Sequence, residues 1–424
     1  LVLLVASPAL VRPRLIGGDE PHYALMASSL AFDRDLDLAP DYRAVADGRS
    51  AGAGLAFRGR ALEPHLLERG GREVPSHPVG LPLLAAPLLL LAAAARLPGL
   101  PDSVLLTLSV TVTLAGLLAL RGALRAWLGN ARLATLLAGA TFFATPLWFY
   151  GRTFFTEPYL WSLAAVAVWL LIRERPLAAG LLLGLTLVIK ESAILLVVPV
   201  LLGAWRFRGR RALARTCLGP ALAAAAFVAR NLLLYGSGPV AFFQPFRLGD
   251  FASGLAGTLV DPAHGLLPFA PLALAAAAGL AAARGPVDRR LATLAAITLT
   301  AQILLVAVWN DWTGGSCFGP RLLLPALPAL AVGLALAWKA WSRHAAFRVL
   351  LLVSTALGVA VETAAVANPF RAFWSIPVGR LLLGSTGAIA AALAGAAVAA
   401  LWLLRAQRGV DPSRTSTILP TTPP

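Results

Sequence analysis

Two adjacent carboxylates, Asp19 and Glu20, stand in Gly17-Gly18-Asp19-Glu20-Pro21-His22-Tyr23, just after a short apolar N-terminus and just before the longest polar stretch of the chain. Paired acids suit general-base work, in which an ionised oxygen takes a proton from an attacking hydroxyl or amine. Pro21 fits a first helical turn because its missing N–H has no intrahelical partner anyway. The pair therefore falls at a helix entrance, where backbone N–H groups favour negative charge. An ordinary acidic helix cap uses the same residues, so spacing alone leaves both readings open.

Four further positions carry candidate chemistry. Glu157 closes Phe154-Phe155-Thr156-Glu157-Pro158, where a carboxylate beside apolar sequence must be solvated, paired or useful. His77 lies in Ser76-His77-Pro78, at the return from polar to apolar sequence. Arg321 ends Asn310-Asp311-Trp312-Thr313-Gly314-Gly315-Ser316-Cys317-Phe318-Gly319-Pro320-Arg321, whose glycines allow close backbone approach to a ligand and whose guanidinium offers a fixed cation for phosphate. His264 closes a polar stretch, 235–265, that carries Arg247, Asp250 and Asp261 among Phe242, Phe243, Phe246 and Phe251, a composition suited to a lipid with a charged head. Each has a structural alternative: a helix end meeting headgroup water, a surface histidine, or an arginine snorkelling to lipid. Lys190 and Glu191, being adjacent, read as an anchor pair. No HxxxH or HExxH spacing occurs, which argues against a structural zinc and leaves a catalytic divalent metal ion open as a cofactor, with no ligand set assigned to it.

The elements that must position these residues are membrane helices. With 58% hydrophobic residues, 13% charged residues and a mean hydropathy of +0.76, the 424-residue chain is a polytopic membrane protein. Its net charge of +16 comes from short arginine clusters between apolar runs, the positive-inside pattern, and not from a basic face for nucleic acid. Segment 17–80 holds ten acids against seven arginines, a net −3, while the rest of the chain carries +19. That contrast places 17–80 outside the cytoplasm.

Apolar runs follow at 81–97, 104–120, 132–149, 159–172, 176–190, 192–205, 213–234, 266–283, 291–309, 322–338, 347–366 and 382–404. Arginine clusters mark alternate junctions as cytoplasmic, which puts Glu157, Lys190, His264 and Arg321 on the outer side with the acidic segment. The parity closes only if 81–97, with Pro82 and Pro87 inside it, is re-entrant or interfacial. The expected fold is all-α and polytopic, with about twelve spans, both termini inside, and interfacial helices in the first external segment. The divisions are 1–16, a truncated first span; 17–80, an external catalytic loop with a flexible Gly48–Gly59 excursion; 81–404, the transmembrane domain; and 405–424, a disordered cytoplasmic tail. Tyr23, Met26, Ala27 and Leu30 recur at helical spacing and predict a one-sided helix lying on the bilayer surface. Cys217 and Cys317 fall on opposite sides and cannot pair.

Together these stretches resemble the C-type membrane glycosyltransferase superfamily, specifically the bacterial relatives of the protein O-mannosyltransferases and the lipid A aminoarabinose transferase. The resemblance spans about residues 15–330. It implies an integral-membrane enzyme of the inner (plasma) membrane that moves a sugar from a polyprenyl-phosphate donor to a lipid, glycan or protein acceptor on the periplasmic or external face, with inversion. Asp19 followed by Glu20 occupies the family's catalytic motif in the first external loop, and Glu157-Pro158 looks like its second carboxylate, with Glu where aminoarabinose transferases have Asp. Where those transferases carry Glu-Lys-Pro, supplying a metal contact and a phosphate contact, this chain has Ser76-His77-Pro78. The departure removes a carboxylate ligand and leaves the phosphate contact to His77, together with Arg321 and His264. The rival reading is a non-enzymatic flippase or transporter of lipid-linked sugars. Such a protein should place its ionisable residues near the middle of the bilayer.

Overall fold

The computed structural model describes residues 17–47, 62–69, 72–95, 101–235, 248–387, 389–390 and 394–395. The expectations for 1–16, Gly48–Gly59, the aromatic cluster at 242–246 with Arg247, and 405–424 lie outside the described residues. What is described is almost wholly helical, with one short antiparallel hairpin, Leu66–Arg69 against Arg72–Pro75. The chain is a polytopic α-helical membrane protein. Five described helical segments are long and apolar enough to cross a bilayer: Asp102–Leu128, Glu191–Leu233, Pro286–Val308, Arg321–Trp341 and Ala345–Ala367. Five shorter apolar helices accompany them. Leucines such as Leu91, Leu222 and Leu233 point outward from these helices, a surface that only lipid covers without penalty.

Local sequence explains where helices start and break. Proline opens the helices at Pro101, Pro176 and Pro286, and the Asn130 side chain accepts from the Leu133 N–H at 3.0 Å to cap Ala131–Phe143. Gly209, at φ 81°, breaks Ile194–Tyr235 into two helices, at the arginine cluster that separates the two apolar runs. The second of these packs against Pro176–Ile189 through glycine: a Cβ on Gly219 would collide with the Gly180 carbonyl, and one on Gly184 with the Gly219 carbonyl. Small residues let membrane helices approach this closely, and dispersion then holds them.

The arginine-marked junctions meet one another. Arg208 donates to Glu174 and to the Ile172 carbonyl, Arg290 to the Arg206 carbonyl, and Lys339 to Asp288 at 2.7 Å.

Two expectations need correction. Helix Glu20–Ser28 is buried on every side, so it is a core element and not a one-sided surface helix. It ends in a π-helical turn, Ser29–Asp33, closed by Arg34 in the left-handed region at φ 63°. The apolar helix Gly80–Ala94 packs against both. Its 15 residues extend about 22 Å, short of the ~30 Å hydrocarbon thickness. The second correction concerns Lys190 and Glu191. They do not form a shared anchor: Lys190 binds Glu157 at 2.9 Å, and Glu191 pairs with Arg230 at 3.0 Å.

Candidate functional site

Asp19 precedes the first turn of Glu20–Ser28 but does not cap it. Its carboxylate turns outward and accepts from the Arg321 guanidinium at 2.8 Å. Gly18 makes this possible. It sits at φ 59°, a conformation natural to glycine, and a Cβ there would press against Phe373 and Phe155. Arg321 is set by the preceding loop, where Gly314, Gly315 and Gly319 all take positive φ, and its guanidinium stacks over Phe155 at 5.0 Å. Only one edge of the guanidinium is engaged by Asp19, and its Nε is a buried donor with no partner among the described residues.

The chain segment Thr153–Glu157 runs between two packed clusters, with Phe154 in one and Phe155 in the other. Glu20 fixes it from one side, accepting from the Phe154 N–H and, at 3.4 Å, from the Gly17 N–H. Glu20 is fully buried in these contacts, so the two adjacent acids divide: Asp19 faces the site and Glu20 braces the backbone beneath it. Glu157, at the other end of the segment, accepts from Lys190 and from Thr156 Oγ1. The charges of Arg321 and Lys190 act on Asp19, and that of Arg321 reaches Glu157 as well. Burial alone would raise the Asp19 carboxyl. Arg321, with smaller help from Lys190, outweighs it and holds the group well below the usual carboxylate range.

His77 is buried where the polar segment turns into Gly80–Ala94. Burial pushes its pKa down to about 4 against the opposing pull of Asp19, so at physiological pH it is a neutral imidazole and not the cation the sequence suggests. Its Nε2 lies 2.8 Å from His65 Nδ1, and both rings gather with His22. Burial, with its two histidine neighbours, likewise lowers His22 to about 3. Ring nitrogens of the three lie within 4.8 Å of one another, a donor set that fits a metal ion.

His264 takes a different place. It hydrogen-bonds Asp261 and Ser375, and Ser375 accepts from the Cys317 N–H at 3.3 Å, so His264 supports the Arg321 loop from behind. Cys317 is buried, and burial raises its thiol to about 11, which removes it as a nucleophile at neutral pH. Asp19, Arg321, Glu157 and His77 are thus brought together, whereas Glu20 and His264 serve the surrounding framework. Sequence reasoning missed Lys190, His22 and His65. For Lys190 the only signal was its charge in apolar sequence, and its neighbour Glu191 offered a nearer partner.

No protein-family model matches the sequence, and no curated protein matches it significantly. Solved structures do match the fold. ArnT from Cupriavidus metallidurans bound to undecaprenyl phosphate aligns at a TM-score of 0.57 and 18% identity, over 98% of this chain and 74% of that one. The archaeal oligosaccharyltransferase AglB from Archaeoglobus fulgidus, in complex with an inhibitory peptide and a dolichol-phosphate, aligns at 0.50 and 13% identity, over 90% of this chain and 55% of its own. At these identities the likeness is one of fold: the chain has the fold of the C-type membrane glycosyltransferases.

Proposed function

We propose that the protein is an integral-membrane glycosyltransferase that moves a sugar from a polyprenyl-phosphate donor to an acceptor hydroxyl or amine on the extracytoplasmic face of the plasma membrane. The observation that carries this reading is the Asp19–Arg321 pair, a base candidate and a candidate phosphate-binding cation 2.8 Å apart, in which the guanidinium Nε has no partner among the described residues. The fold shared with transferases bound to undecaprenyl phosphate and to dolichol-phosphate supports it.

The acceptor oxygen or nitrogen attacks the anomeric carbon, the bond from that carbon to the phosphate oxygen breaks, and the polyprenyl phosphate leaves with the electron pair. Asp19 takes the acceptor's proton. Direct displacement inverts the anomeric centre. In the pair alone Asp19 is too weak a base, because Arg321 holds its proton affinity down. A donor phosphate that accepts from Arg321 spreads that positive charge, and the Asp19 carboxylate then gains basicity when a substrate is present to use it. Arg321, with Lys190 nearby, stabilises the charge that grows on the departing phosphate. Glu157 holds Lys190 in place and orients the acceptor.

The test is to incubate the purified protein with a panel of polyprenyl-phosphate sugars and follow donor consumption by mass spectrometry, with Asp19→Asn as the control. Consumption that depends on Asp19 supports the reading. A folded protein that consumes no donor in the panel overturns it in favour of lipid-linked sugar transport.

A further inference from the structure

A helix start and the two ends of one hairpin deliver one imidazole each to the same point. His22 comes from the first turn of Glu20–Ser28, His65 from the residue before the hairpin, and His77 from the turn after it. Backbone geometry fixes the approach of the last two: Ser76 donates to the His65 carbonyl from both its N–H, at 3.0 Å, and its Oγ, at 2.9 Å. His22 is oriented from outside, its Nδ1 lying 2.5 Å from the Tyr42 hydroxyl. With the His22 Nδ1–H donating to Tyr42, Nε2 presents its lone pair inward. Metal-bound histidines are held by an outer hydrogen bond of this kind. His22 and His77 are 3% and 4% exposed, which removes the option of leaving their ring nitrogens to bulk water.

The nitrogens converge within 4.8 Å, with His65 Nδ1 and His77 Nε2 at 2.8 Å. A tetrahedral ion with bonds of about 2.0–2.1 Å needs its ligand nitrogens roughly 3.4 Å apart. Opening the short pair by about 0.6 Å and closing the longest separation by at most about 1.4 Å meets that spacing. An all-imidazole set with no carboxylate selects zinc and its transition-metal neighbours over magnesium or calcium, which prefer oxygen.

We propose that His22, His65 and His77 bind one divalent transition-metal ion of the zinc class, and that this ion clasps the hairpin and its return turn onto the helix that begins at Asp19. The clasp neighbours Asp19 but is tested separately from the transfer chemistry, because metal binding and its effect on the fold are read without a donor. Such an ion ties together parts of the chain whose described residues hold only a hairpin of two four-residue strands and short helices, and binding of this kind adds directly to folding stability.

The experiment uses the full chain in detergent, stripped with a chelator, incubated with zinc and desalted. Metal content is read by mass spectrometry, and cobalt(II) replaces zinc for visible absorption, whose intense d–d bands report a tetrahedral nitrogen set. The expected result is about one ion per chain, a higher melting temperature with zinc than after stripping, and at least a tenfold loss of retained metal in His22→Gln, His65→Gln and His77→Gln. Tyr42→Phe weakens affinity by about tenfold, the usual scale for losing an outer hydrogen bond. Because His65 is only half-buried, His65→Gln is the variant that separates metal loss from misfolding, and its elution as a monodisperse peak checks this. Folded parent protein that retains no zinc overturns the proposal, as does equal retention in parent and His65→Gln. Asp19→Asn separates the two readings: it keeps the ion and loses donor consumption if both hold, whereas a protein that consumes donor without binding metal sinks the clasp alone.

Discussion

Arg321 meets Asp19 at 2.8 Å across 302 residues of sequence, and neither residue has another route to its position. Asp19 is aimed by Gly18 and by the start of a buried helix. Arg321 is aimed by a glycine-rich loop that Ser375 and His264 support. Asp19→Asn keeps this shape and removes the basicity. Turnover of a polyprenyl-phosphate sugar should fall by roughly 10²–10⁴-fold while donor binding survives, the range typical of losing a general base. Near-normal turnover with asparagine would remove Asp19 from the chemistry.

Arg321→Lys tests the other half of the pair. Lysine keeps the charge but loses the planar fork that can hold a carboxylate with one edge and a phosphate with the other. Donor affinity should weaken by about tenfold or more, and turnover at saturating donor should fall as well, because the cation also serves the departing phosphate. A lysine variant with the parent's donor affinity would place the phosphate elsewhere.

The helical membrane fold was legible because it is written locally, in the lengths of the apolar runs. What was not legible depends on pairing at a distance. Nothing in the spacing of His22, His65 and His77 marks them as neighbours, since a hairpin and a return turn bring them together. Lys190 has Glu191 beside it in sequence, yet Glu191 turns to Arg230 and Lys190 crosses to Glu157. The spacing of Tyr23, Met26, Ala27 and Leu30 suggested one apolar face, whereas every residue of Glu20–Ser28 is buried and Leu30 falls in the π-helical turn that follows. Gly80–Ala94 is among the elements packed against that helix.

The Glu157–Lys190 pair gives a stability prediction. Glu157 is buried and Lys190 is a quarter exposed, so Lys190→Met leaves a carboxylate in a poor solvent without its partner. The variant should be destabilised by about 3 kcal/mol, toward the low end for breaking a buried pair, and Lys190→Met combined with Glu157→Gln should recover much of that loss. Thermal unfolding in detergent of the four members of this cycle measures the coupling. Additive losses would mean that the two charges are solvated independently.

Membrane orientation is open to a direct check. A reporter inserted after Arg211, in the arginine cluster at Gly209, should read cytoplasmic, and one placed within 40–47 should read external. The same side for both would undo the placement of the site on the outer face.

Asp41 supplies the pH-dependent prediction. It lies in the first turn of Ala39–Ala46, is buried, and faces Asp33, Asp35 and Asp37. Burial first, and the three neighbouring carboxylates after it, raise its pKa from 3.8 to about 6. For an acid raised on folding, the folded state holds its proton longer than the unfolded state does. The protonated form therefore contributes stability that is complete below about pH 4 and is lost as pH rises through about 6. Above that, the ionised carboxylate costs about 1–2 kcal/mol once solvent screening is allowed for. Asp41→Asn cannot ionise, so it should raise the melting temperature by a few degrees at pH 7.5 and leave it nearly unchanged at pH 4. Added salt should narrow the gap at pH 7.5, because it screens the three neighbours without restoring solvent to the buried group. The favourable position of a negative charge in a first helical turn works against this gain by less than about 1 kcal/mol. A melting difference between parent and Asp41→Asn that is the same at both pH values would show that Asp41 ionises freely in the folded protein.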